Sequence, residues 1–143
     1  MPIAGRKRVG RRRRLSATAT VLDASALLAI LFDEDGGDLV RAEVPSAAIS
    51  TANWAEVIEK AVESNVDDAS LLRVFEGLGL AVVSVDVGQA EYAARLRGPT
   101  RTLGLSLADR LCFALAADLQ TPVLTADRDW TKVDAGVEVR LIR

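Results

Sequence analysis

Histidine is absent from this 143-residue chain. Its absence removes Ser-His-Asp hydrolysis, paired-histidine nuclease chemistry and histidine metal sites together. Cysteine occurs once, at Cys112, which excludes an intramolecular disulfide and a cysteine-built zinc site. No apolar run approaches the length of a membrane span. Catalysis in such a chain must draw on carboxylates, hydroxyls, Lys, Arg or a metal held by oxygen. The lone cysteine fits a reducing cytoplasm, and no apolar signal core follows the N-terminal basic cluster.

What is present is unevenly spread. Residues 1–20, "MPIAGRKRVGRRRRLSATAT", hold seven of the 18 basic residues and no acid. Residues 21–143 carry 11 basic against 20 acidic residues, a formal −9. The first 20 residues lack apolar periodicity and read as a basic, disordered arm. A mitochondrial presequence and a nucleic-acid-binding arm share that composition. The simplest expectation is a dispensable extension, with native translation starting at Val21. An intact mass that includes the first 20 residues refutes it.

From residue 21 to residue 143 the pattern alternates, as one ordinary domain would. "TVLD", "AAIS", "LAVVSVD", "PVLTA" and "VEVRLI" read as strands. Helical segments separate them: "ASALLAILF", "DLVRAEV", "TANWAEVIEKAVESN", "DDASLLRVFEGLG", "VGQAEYAARLR" and "SLADRLCFALAADL". "GPTRTLG" reads as a loop and "DRDWTKV" as a short turn or helix. Strands alternating with helices predict a mainly parallel sheet with helices on both faces. Ligands in such sheets bind beyond the carboxyl ends of the strands.

Several carboxylates fall near those ends. Asp23 closes the first strand and heads a helix, where an N-cap is the ordinary explanation. Ser25 adds a hydroxyl on the first helical turn. Asp127 closes the "PVLTA" strand in the same way, and Asp129 follows two residues on. Asp86 also ends a strand before a helix, so the position alone is not diagnostic. Glu56 falls by helical spacing with Glu59, Lys60 and Glu63, opposite Trp54, Ile58, Ala61 and Val62. Spacing therefore places Glu56 on a solvated face.

Asp109 lies three residues after Ser106, a near capping box. The following "LCFALAA" has no polar face, which predicts a buried central helix. A carboxylate at the start of a buried helix stays ionised and suits a hard cation. With no histidine, a carboxylate cluster points to Mg²⁺ or Mn²⁺. Such an ion acidifies a bound water and neutralises a phosphoryl oxygen, which suits attack on a phosphodiester.

"VLDASALLAIL", "NWAEVIEKA", "GLSLADRLCFALA" and "VLTADRDW" resemble, in order and spacing, the four motifs of PIN-domain ribonucleases. More narrowly they resemble the VapC-type toxins of type II toxin–antitoxin modules. The resemblance runs from about Val21 to the C-terminus. It implies a three-layer α/β/α fold with a short central parallel sheet, and a Mg²⁺- or Mn²⁺-dependent endoribonuclease. Asp23, Glu56, Asp109 and Asp127 would form its acidic quartet, with Asp23 and Asp109 the direct metal ligands. Glu56 would then face the cleft, against the spacing argument. Ser25 and Thr125 would be supporting hydroxyls, and Asp129 a further supporting acid.

The resemblance also implies a VapB-like antitoxin, whose C-terminal segment covers the acidic cleft, and a homodimer. It assigns no role to residues 1–20. An acidic body fits a basic inhibitory segment better than it fits RNA, so local cations must offset phosphate repulsion. Arg97, Arg101, Arg110 and Arg128 are candidates for that contact, with surface ion pairing the plainer alternative for each. Two other functional classes compete. One is a different acid-cluster phosphotransfer enzyme: a haloacid-dehalogenase-like site needs an acid where Ser25 stands, and a receiver domain needs a strand-end lysine that neither Lys60 nor Lys132 matches. The other is a PIN-like module that binds RNA or a partner without cutting.

Overall fold

The computed structural model describes residues 18–143. Five short strands form one sheet: β1 (Thr20–Leu22), β2 (Ala47–Ser50), β3 (Ala81–Val83), β4 (Val123–Thr125) and β5 (Val139–Leu141). Their order is β3-β2-β1-β4-β5, and every pairing is parallel. The connecting helices are α1 (Ala24–Leu31), α2 (Gly37–Glu43), α3 (Thr51–Glu63), α4 (Leu71–Gly77), α5 (Val87–Arg95), α6 (Arg97–Thr100) and α7 (Leu107–Leu119). No helix among the described residues is long and apolar enough to cross a membrane.

The strands are short apolar runs because both faces of the sheet are covered. Period-two alternation sends successive side chains to opposite layers. Leu22, Ala47, Ile49 and Leu124 pack with Ala26, Leu27, Val40, Val57 and Phe75 of α1–α4. Val21, Ala48, Val83 and Val123 pack instead with Cys112, Phe113, Leu115 and Ala116 of α7. The expected three-layer α/β/α arrangement is therefore present. The Phe113 ring lies against Trp130 with centroids 4.9 Å apart. Every residue of α7 from Arg110 to Ala116 is buried, as its unbroken apolar stretch predicts.

Four local expectations change. "GPTRTLG" is not a loop: it forms α6 and a 3-10 turn over Arg101–Leu103. Helix α4 begins at Leu71, because Asp67 caps a preceding turn through Ala69 N and Ser70 Oγ. The buried stripe of α3 centres on Asn53, Val57 and Ala61. Four-residue steps keep these three stacked, whereas Val62 rotates off the stripe and is 55% exposed. The first strand holds Thr20 as "TVLD" implied, so the boundary between arm and domain falls slightly before residue 21. Thr20 is buried and pairs with Ala47, and the Ala19 amide donates to Ser46 O. The proposed basic arm otherwise lies outside the described residues.

The chain leaves β1 toward β2 and β3, then returns past β1 to form β4 and β5. The direction of winding reverses between β1 and β4. In an open parallel sheet that reversal leaves a crevice at the carboxyl ends of the two strands. Asp23 directly follows β1, and Thr125 ends β4.

Candidate active site

Asp23 is the N-cap of α1 and only 5% exposed. Its Oδ1 accepts from Ala26 N at 3.0 Å and from Ser25 Oγ at 2.7 Å. Its Oδ2 accepts from Thr125 Oγ1 at 2.7 Å. The ordinary N-cap is thus present, and a side chain from another strand is added to it. Ser25 Oγ also accepts from Ala126 N at 2.9 Å, and Thr125 Oγ1 from Asp127 N at 3.0 Å. These bonds lock the ends of β1 and β4 together around one carboxylate. Burial dominates its acidity: desolvation and the nearby Asp109 charge outweigh the three hydrogen bonds, and its pKa rises to about 6.

Asp109 occupies the third position of α7 in a complete capping box. Its amide donates to Ser106 Oγ at 3.1 Å, and its Oδ2 accepts from Ser106 N at 3.0 Å. Gly104, at φ 65°, turns the chain into this cap. Capping does not consume the residue. Asp109 lines the same cleft as Asp23, and desolvation together with the Asp127 charge raises its pKa.

Glu56 is half-buried on α3 and joins that cleft. Its Oε2 accepts from Asn53 Nδ2 at 3.4 Å. Desolvation raises its pKa first, with Asp109 and Glu59 adding repulsion against the Asn53 bond. The spacing argument that put Glu56 in open solvent is thereby corrected. The polar face of α3 turns toward α7, with which it packs, so that face borders a cleft.

Asp127 is exposed at the cleft rim and its Oδ1 accepts from Asp129 N at 3.0 Å. Asp129 itself pairs with Lys132 at 3.0 Å and does not line the cleft. The cleft, about 330 Å³, is completed by Ala24, Leu28, Glu59, Lys60 and Trp130.

The arginines divide differently from expectation. Arg97, Arg101 and Arg128 are exposed, and none lines the cleft. Arg110 is 5% exposed and turns away from solvent. Its Nη1 donates to Ala93 O at 2.8 Å and its Nε to Ser106 O at 3.3 Å. It ties the last turns of α5 to the start of α7, so its expected role as an RNA contact is replaced by a structural one. Among the described residues, the cation that does line the cleft is Lys60. Sequence reasoning passed over it and over Asn53, although Lys60 lies one helical turn beyond Glu56 and so shares its face.

Five carboxylates line one small cleft and repel one another, and burial strips Asp23, Glu56 and Asp109 of part of their water. A hard divalent cation relieves both costs. Among the described residues no three acidic side chains converge tightly enough to enclose an ion by themselves. The donor set is all oxygen, as such an ion requires.

An open parallel α/β sheet with an acidic cleft at its switch point defines the class of this protein. Residues 20–136 match the family model described as PIN domain, and the chain belongs to that family. Solved structures share the fold. A toxin-antitoxin complex from Klebsiella pneumoniae aligns with TM-score 0.67 at 21% identity, covering 87% of this chain and 98% of the other. DNA-bound VapBC from Salmonella typhimurium gives 0.67 at 17% identity, covering 88% and 99%. VapBC-5 from Mycobacterium tuberculosis gives 0.54 at 26% identity, covering 88% and 98%. No curated protein matches the chain in sequence.

Proposed function

We propose that this chain is a divalent-metal-dependent endoribonuclease, the toxin of a type II pair with a VapB-like antitoxin. The observation that carries the reading is the gathering of Asp23, Glu56, Asp109 and Asp127 around one cleft. Burial raises the pKa of Asp23, Glu56 and Asp109 from their ordinary values. Asp23 and Asp109 are assigned as the direct ligands of Mg²⁺, or of Mn²⁺ in its place. When bound, such an ion polarises a phosphoryl oxygen and acidifies a water.

The chain's own side chains supply the rest. Ser25 and Thr125 hold the Asp23 carboxylate in one orientation. Glu56, with its raised pKa, takes the proton of the water that attacks phosphorus. The new P–O bond forms as the bond to the leaving ribose oxygen breaks, and solvent returns a proton to that oxygen. Asp127 orients water at the rim. Lys60 offers charge to an RNA phosphate, with Arg97, Arg101 and Arg128 acting outside the cleft. The site of action is the cytoplasm, where the RNA is.

The direct test is cleavage of RNA by the purified chain with Mg²⁺ or Mn²⁺, beside Asp23→Asn and Asp109→Asn. Both variants should stay folded and lose metal-dependent cleavage. Equal cutting by wild type and variants would mark the activity as a contaminant and defeat the reading.

The partner assignment rests on the neighbours, several of which are toxin–antitoxin complexes. It is supported by a second, largely apolar groove of about 380 Å³ walled by Ile30, Leu31, Pro45, Leu71, Val74 and Leu78, with Arg41 also lining it. Helix α1 borders both features, with Ser25 and Leu28 in the cleft and Ile30 and Leu31 in the groove. An antitoxin segment would lay apolar residues in the groove and basic residues toward the cleft. Co-expression with a VapB-like antitoxin should suppress toxicity, and Val74→Asp should abolish that protection without slowing cleavage. Protection that survives the substitution places the antitoxin elsewhere. The chain is also proposed to be a homodimer, which light scattering of the free toxin tests directly.

A further inference from the structure

Asn53 is fully buried on the first turns of α3, where an apolar side chain would satisfy the core. Its Nδ2 donates to Glu56 Oε2 at 3.4 Å and to Ala108 O at 3.1 Å. Both partners are acceptors, so the amide nitrogen must face them, and its two hydrogens match the two bonds. Its Oδ1 has no partner among the described residues. An orphaned buried oxygen is destabilising, which makes Asn a poor choice for packing alone.

The two bonds reach two elements. One holds the Glu56 carboxylate on α3. The other grips the backbone of α7 one residue before Asp109. Ala108 O is a helical carbonyl that already accepts within its own helix, so α7 does not need Asn53 in order to form. The geometry points to Asn53 as a positioning residue that sets Glu56 against Asp109 and thereby shapes the cleft for its divalent cation. Arg110, itself on α7, ties the same first turn to Ala93 O of α5. The start of α7 is thus held from two sides, with Asn53 the side that also touches a cleft carboxylate.

This inference rests on the metal-dependent reading of the cleft, and its test separates the two. Asn53→Leu removes both donors, and Asn53→Asp keeps the shape while replacing the donor with an acceptor. Mn²⁺ titration followed by electron paramagnetic resonance measures ion affinity without any RNA. Thermal melting reports folding, and steady-state RNA cleavage separates kcat from KM.

The expected result for a folded variant is a Mn²⁺ dissociation constant raised at least threefold and kcat lowered at least tenfold. KM for RNA should stay within about twofold, because Asn53 lies out of reach of the substrate. Mn²⁺ affinity and kcat both within twofold of wild type overturn the proposal. Failure of both variants to fold also overturns it, by assigning Asn53 to the core alone. If wild type binds Mn²⁺ and cuts no RNA, the ribonuclease reading fails, while the affinity comparison still decides the role of Asn53.

Discussion

Thr125 Oγ1 donates to Asp23 Oδ2 at 2.7 Å, joining the end of β4 to the residue after β1 across 102 positions of sequence. The bond sits where the winding of the sheet reverses. It means that the central carboxylate is oriented by a strand that forms late in the chain. Thr125→Val keeps the shape and removes the donor. It should destabilise the metal-free protein at pH 7.5 by about 1–3 kcal/mol, because a charged buried acceptor loses its partner. Urea unfolding measures it, and the loss should shrink near pH 5, where Asp23 is protonated.

The acidity of Asp23 makes stability depend on pH in a fixed direction. Its pKa rises from 3.8 to about 6 on folding, so the folded chain binds the extra proton between those values. Stability from this group is present below about pH 4, falls through that window and is lost above pH 6. The size is about 3 kcal/mol from a shift of roughly two units. Glu56 and Asp109 shift the same way. A divalent cation should oppose the effect, so Mn²⁺ should raise Tm more at pH 7.5 than at pH 5. An equal gain at both values would contradict binding by these carboxylates.

Arg110 should behave as a strut. Arg110→Met leaves Ala93 O without its partner and empties a buried polar site, which should cost about 2–4 kcal/mol. Arg128→Ala, on an exposed side chain, should change stability by less than about 0.5 kcal/mol. Chemical denaturation of the two variants side by side separates structural from surface arginine.

Lys60 should act on substrate rather than on the fold. Lys60→Gln should raise KM for RNA several-fold with little change in kcat. It should also flatten the salt dependence of binding by somewhat less than one unit of log–log slope, as for one lost contact to a single strand. Its partner Glu63 is exposed, so Tm should not move appreciably. An unchanged salt slope would remove Lys60 from the RNA path.

Much of the architecture was legible in order of residues. Alternating apolar runs and helical segments implied a parallel sheet, and strand-end acids implied a crevice. The uniform apolarity of "LCFALAA" implied a buried helix, as found. Spacing failed at Glu56 because helical periodicity tells which face is polar, not what that face meets. A polar face packed beside another helix start becomes the wall of a cleft. It failed at Arg110 for the complementary reason: a charged residue next to a motif acid can turn inward when helix-end carbonyls wait there to accept its hydrogen bonds. Asn53 gave no sequence signal, since one amide on an amphipathic helix resembles any other polar residue.

Sequence by itself determined the inventory: no histidine, one cysteine, and acids placed at strand and helix ends by local capping preference. Those preferences act over three or four residues, so they can be read along the chain. Tertiary structure alone decided which acids meet. Asp23, Glu56, Asp109 and Asp127 come from four separate segments, and only the sheet order brings them to one cleft. Burial there, a property of packing rather than of any residue, is what lifts the pKa of Asp23 to about 6.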